Sequence, residues 1–115
     1  MRGLRLVGTH GALPEEQDRA QPFEVDVTLA ADLSPAGTSD DLADTVDYGA
    51  VAATVAAVVT AEHHQLLERL ATRIADDVLA LDARIAAVTA TVRKLRPPLP
   101  YDLASVGVTV TVDRP

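Results

Sequence analysis

An α+β fold, a small antiparallel sheet with two helices on one of its faces, is what this sequence predicts. Three features lead there. Apolar and polar residues alternate in regions near both ends, aliphatic residues recur at helical spacing in the middle, and turn residues separate the segments. The resulting order, strand, strand, helix, helix, strand, strand, groups helices apart from strands, as in an antiparallel sheet covered on one side.

Met1 to Gly8, with Leu4 and Leu6 on one parity, is the first strand, and His10 to Gln21, rich in Gly, Pro and acidic residues, reads as a long loop. Phe23, Val25, Val27, Leu29, Ala31 and Leu33 alternate with Glu24, Asp26, Thr28 and Asp32, which predicts a half-buried second strand. Ser34 to Asp41 is a cluster of turn residues that carries the chain away from the sheet. Asp47 is placed to cap a helix from Tyr48 to Ala61, whose apolar stripe is Val51, Val55, Val58 and Val59. A second helix is expected from His64, with Leu66, Leu67, Leu70, Ile74, Val78 and Leu81 inward and Arg69, Arg73, Asp76 and Asp77 outward. Val88, Ala90 and Val92 then share one face of a third strand, which Pro97, Pro98 and Pro100 end. Val106, Val108, Val110 and Val112 form the last strand, and two open edges invite pairing with copies of the same chain.

With 115 residues, the chain suits one domain spanning 1–115 and is too short for two. No apolar run approaches the roughly 20 residues needed to cross a bilayer, and no export signal opens the chain, so a soluble cytoplasmic protein with no membrane partner is expected. The absence of cysteine excludes disulfides, thiolate nucleophiles and cysteine-containing zinc sites. A formal charge of -7 argues against nucleic acid as a partner.

Period-two counting puts Lys94 on the parity of Val88, Ala90 and Val92, at the mouth of the buried face. Partial desolvation there destabilises the charged form of an amine and suits it to shuttling protons, although a lysine that snorkels over the core to water fits the same parity. By their local patterns alone, Glu68 is a solvated helix residue, Tyr48 an amphipathic anchor and Glu16 a loop carboxylate. His10, His63 and His64 lack the spacing of helical metal ligands, so no metal site is expected. No phosphate-cradling glycine loop or serine, histidine and aspartate triad is present, and no cofactor signature is found.

Five segments in order, Gly8-Thr-His-Gly-Ala-Leu13, Gln21-Pro-Phe-Glu-Val-Asp-Val27, Ser39-Asp-Asp-Leu-Ala-Asp-Thr-Val-Asp-Tyr48, Leu66-Leu-Glu68-Arg-Leu-Ala71 and Lys94-Leu-Arg-Pro-Pro-Leu-Pro100, resemble the dihydroneopterin aldolase family along nearly the whole chain. The resemblance implies the tunnelling fold (T-fold), whose subunits join sheets edge to edge into a ring, commonly a tetramer that stacks into an octamer, with active sites at subunit interfaces. It implies that Glu68 grips the pterin through two N–H groups, that backbone near Leu67 and Val46 completes that edge, and that Tyr48 contacts ring and side chain from a neighbouring chain. Lys94 would be the general acid and base, oriented by Glu16. The implied reaction is retro-aldol cleavage of 7,8-dihydroneopterin in folate biosynthesis, with epimerisation to dihydromonapterin by recombination. Since the substrate's ring imine takes up the electrons, neither metal nor cofactor is implied.

Against that family pattern the chain is expected to start late in the first strand, lacking about half a dozen residues that relatives usually carry, which would weaken one sheet edge. Ala20 stands where relatives often have glycine, and Pro22 follows, altering entry into the second strand. The rivals are a dihydroneopterin triphosphate epimerase, which the acidic balance disfavours because it must hold a charged tail, and a noncatalytic scaffold of the same fold that binds a pterin or purine.

Overall fold

A computed structural model describes residues 1–115, and its elements follow the predicted order with short helices added. Strand β1 (Leu4–Gly8) leads through α1 (Pro14–Asp18) to β2 (Gln21–Ala31), and α2 (Ser34–Ser39) with a 3-10 turn (Leu42–Asp44) leads to α3 (Tyr48–Ala61). Helix α4 (Leu67–Leu79), β3 (Ile85–Lys94) and β4 (Val106–Asp113) complete the chain. The four strands form one sheet in chain order, each antiparallel to its neighbour.

Both longer helices cover the same face. Helix α4 lies over β3 and β4, while α3 lies against β1 and α4. The alternation in the strands and the valine stripe of α3 meet in one core of 18 buried residues, including Phe23, Val25, Val27, Val51, Val55, Leu70, Ile74, Val88 and Val92. Burying a side chain of this size contributes about 1.5–3 kcal/mol, so the stripe on α3 suffices to dock a helix that is otherwise mostly alanine. Asp47 caps α3 as expected, accepting from the amides of Gly49 at 2.8 Å and Ala50 at 3.2 Å.

The uncovered face is polar. Arg93 Nη1 donates to Asp26 at 2.8 Å and Glu24 at 3.3 Å, and hydroxyl pairs join Thr89 to Thr111 and Thr91 to Thr109. One-residue alternation thus places Arg93 outside and Lys94 inside, as the parity predicted.

Four boundaries differ from the sequence reading. The loop from His10 to Gln21 contains α1, opened by Pro14, whose fixed φ and missing N–H suit a first helical turn. The turn cluster after β2 is itself a helix: Asp32 accepts from the Ser34 amide and hydroxyl, and α2 stops at Asp40 in the left-handed conformation, φ 57°. Strand β2 ends at Ala31, after an irregularity at Ala30/Ala31, and Leu33 is exposed rather than a sixth inward residue. Helix α4 begins at Leu67, not at His64, because the His64 amide and carbonyl are engaged elsewhere; Leu66 and Leu81 then fall outside the helix and are exposed.

Candidate active site

Lys94 and Glu16, 78 residues apart, meet at the end of the sheet: Nζ lies 2.5 Å from Oε2. Strand pairing brings them together. Lys94 is the last residue of β3 and faces Phe23 of β2 across the buried face, while α1 crosses the entrance to β2 and turns Glu16 inward. Only 12% of the Lys94 side chain and 7% of the Glu16 side chain is exposed, so this is neither a snorkelling lysine nor a loop carboxylate in water. Burial alone would raise the Glu16 pKa, but hydrogen bonds from Lys94 and Gln21 outweigh it and hold the carboxyl below its ordinary value.

Backbone geometry makes room for that carboxylate. Gly11 has φ of 153°, and a Cβ there would stand 2.4 Å from the Glu16 Cδ, so the loop passes Glu16 only because this residue is glycine. Gly11 is held in turn by donating to the His64 carbonyl at 2.9 Å and accepting from Gln17 Nε2 at 3.1 Å.

His10 bolts the same loop to the junction of α3 and α4. Its ring is fully buried, Nε2 lies 2.7 Å from the Val59 carbonyl, and Nδ1 accepts from the His64 amide at 3.1 Å. A backbone N–H can donate only to a bare nitrogen, so the hydrogen-bond pattern assigns the neutral ring with its proton on Nε2. Burial pushes the His10 pKa below the ordinary 6.5. The ring also stacks on His64 at 5.8 Å and meets Phe23 edge-on at 5.4 Å. These contacts account for His10 and His64 as structural groups, and no cluster of three or more candidate ligands is found.

Beside the pair, Glu15, Glu16, Arg19, Ala20, Gln21, Pro22, Arg96 and Pro98 line an open cleft of about 320 Å³. The remaining predicted residues lie apart from it in contacts. Tyr48 is 84% exposed at the start of α3, so it is not the packed anchor expected of an aromatic there. Glu68, exposed in the first turn of α4, has no hydrogen-bonded partner for its carboxylate, and neither it nor Tyr48 bonds to Lys94 within the chain. Leu67 is buried and Val46 packs against the core. The residue at the cap of α4 is Leu66, which offers no side-chain acceptor, so the helix's first amides stay free beside Glu68.

Gly11, His10 and Gln21 escaped the sequence reading as parts of this site. Gln21 had a signal, since it shares the inward parity of Phe23 and Val25. His10 carries no local signal beyond that of a possible metal ligand, and nothing local reveals a positive-φ glycine beneath a carboxylate.

A family model described as FolB, dihydroneopterin aldolase, matches residues 1–111. A dihydroneopterin aldolase of Staphylococcus epidermidis is 40% identical over 110 residues, 96% of this chain and 91% of that one. One of Streptomyces coelicolor is 43% identical over 114 residues, covering 99% and 93%. The crystal structure of the E. coli dihydroneopterin aldolase in complex with neopterin superposes with a TM-score of 0.87 at 30% identity, covering 97% of this chain and 95% of that one.

Proposed function

The chain belongs to the dihydroneopterin aldolase family and is an aldehyde-lyase, and on that premise we propose that Lys94 and Glu16 are its acid and base machinery and Glu68 its pterin anchor. The observation that carries this is the Lys94–Glu16 pair, 2.5 Å apart and almost closed to water at the mouth of the apolar face. A buried amine beside a carboxylate can pass a proton to and from a substrate hydroxyl or a bound water. Removing the proton from the side-chain hydroxyl of 7,8-dihydroneopterin breaks a carbon–carbon bond and releases glycolaldehyde. The electron pair enters the ring imine, and a proton returned to carbon gives 6-hydroxymethyl-7,8-dihydropterin. The protein has only to move protons and to hold the ring.

Holding the ring falls to the start of α4. Glu68 offers two acceptor oxygens to the amino and ring N–H groups of a pterin, and the uncapped amides near Leu67 add donors on the same edge. Val46 backbone closes that edge and Tyr48 covers the ring, in an assembly where Tyr48 comes from a neighbouring copy. Support for such an assembly comes from two open sheet edges, the unpartnered Tyr48 and Glu68, and the exposed Leu42, Leu66 and Tyr101. The assembly is a ring of four that stacks into an octamer. No helix is long and apolar enough to cross a membrane, and we place this one-domain enzyme in the cytoplasm.

Two variants test the division of labour. Lys94→Ala should bind a pterin with nearly unchanged affinity while glycolaldehyde release falls by orders of magnitude; unchanged release removes Lys94 from the mechanism. Glu68→Ala should lose pterin affinity first, and normal binding by that variant removes the anchor.

A further inference from the structure

Glu16 Oε2 has a second donor. Gln21 Nε2 lies 3.2 Å from it, and the same nitrogen donates to the His10 carbonyl at 2.8 Å. A primary amide carries two hydrogens, so one serves each acceptor. Neither end of this bridge is free to wander. Gln21 opens β2, paired with Gly8 of β1, and His10 is bonded through both ring nitrogens. With one hydrogen committed to a fixed carbonyl, the other is aimed at Glu16.

The value of that aim depends on what happens when Lys94 reaches for substrate, a step that rests on the acid–base reading above. Once the amine departs, Oε2 keeps only Gln21, and the remaining donor, the Leu13 amide, reaches Oε1 at a long 3.5 Å. Glu16 is buried enough that, left alone, it would take up a proton and could no longer receive the amine back as an ion pair. We propose that Gln21 is a positioning residue for the acid–base pair, holding the Glu16 carboxylate in place and ionised while Lys94 is away on the substrate.

Other charges facing Glu16 cannot take this role. Arg19 and Arg96 line the cleft but donate no hydrogen bond to it, Glu15 on the same helix is like-charged, and His10 meets it only through Gln21. Lys94 is the sole cation in contact.

The test compares Gln21→Leu, which removes the donor, with Gln21→Glu, which keeps the shape but sets a second carboxylate against the first. Gln21→Leu should move the acid limb of the kcat profile up by about one to two pH units, the scale of one charge-assisted hydrogen bond, with KM nearly unchanged. Gln21→Glu should lose more activity at neutral pH than Gln21→Leu does. A readout free of turnover is the carboxyl carbon resonance of Glu16 in Lys94→Ala, which imitates the departed amine: adding Gln21→Leu should raise the pH at which Glu16 titrates. Coincident titrations in single and double variants, or an acid limb that stays at its wild-type position, would overturn the role of Gln21. Full turnover by Lys94→Ala alone would instead sink the acid–base reading, so the two failures are distinct.

Discussion

His10 ties three segments together with one neutral ring, and that makes its protonation state a matter of stability. The folded pKa lies below the ordinary 6.5, so between the two values the unfolded chain binds the extra proton and folding loses ground as pH falls. Stability from this group is complete above 6.5 and declines below it, by at most about 1.4 kcal/mol per pH unit for one proton, until the folded ring itself titrates. The charges around it are His64 and His63, which oppose its protonation, and Glu62, which favours it. Urea unfolding followed from about pH 8 to pH 5 should therefore show a falling midpoint, with a shallower fall in His10→Gln. Equal slopes would remove His10 as the source. Glu16 acts in a lower window, since a depressed carboxyl loses its contribution as pH drops through its folded value.

At the scale of elements, α3 matches its expected bounds, whereas α1 and α2 stand where the local pattern indicates a loop and a turn. Helix α3 runs from Tyr48 to Ala61 with the expected cap and buried stripe, because four valines and an aspartate at the right offsets are all local information. Removing the cap in Asp47→Ala should cost about 1 kcal/mol, seen as a lower Tm, and should also loosen Tyr48 at the first helical position. A variant that melts like wild type would show that other contacts set this end. The short helices α1 and α2 carry the sequence signals of loop and turn, because Pro, Ser, Asp and Gly mark both a turn and a helix end. Which of the two forms depends on whether the following residues are held against the sheet, and for α1 the holding group is the buried Glu16.

The whole molecule measures 52 × 25 × 21 Å with a radius of gyration of 15.4 Å, larger than the roughly 13 Å of a compact chain this long. An elongated sheet with one polar face and two unpaired edges suits a ring built from copies. If Tyr48 of one copy completes the Lys94 site of the next, co-expressed Lys94→Ala and Tyr48→Ala subunits, each inactive alone, should together regain about a quarter of wild-type activity by random pairing. No recovery in verified mixed oligomers would place both residues of a site in one chain. The sequence by itself determined the order of the four strands and the two long helices, most of their apolar faces, and the inward parity of Lys94, because periodicity is written in neighbouring residues. Family resemblance singled out Glu16, Tyr48 and Glu68. Only the tertiary structure decided that the Glu16 carboxylate is buried against the Lys94 amine, that Gly11 clears the space for it, and that Gln21 and His10 hold it there. Those contacts join the loop after β1, α1, β2 and β3, and pairing across a sheet is set by how the chain closes on itself rather than by any local pattern.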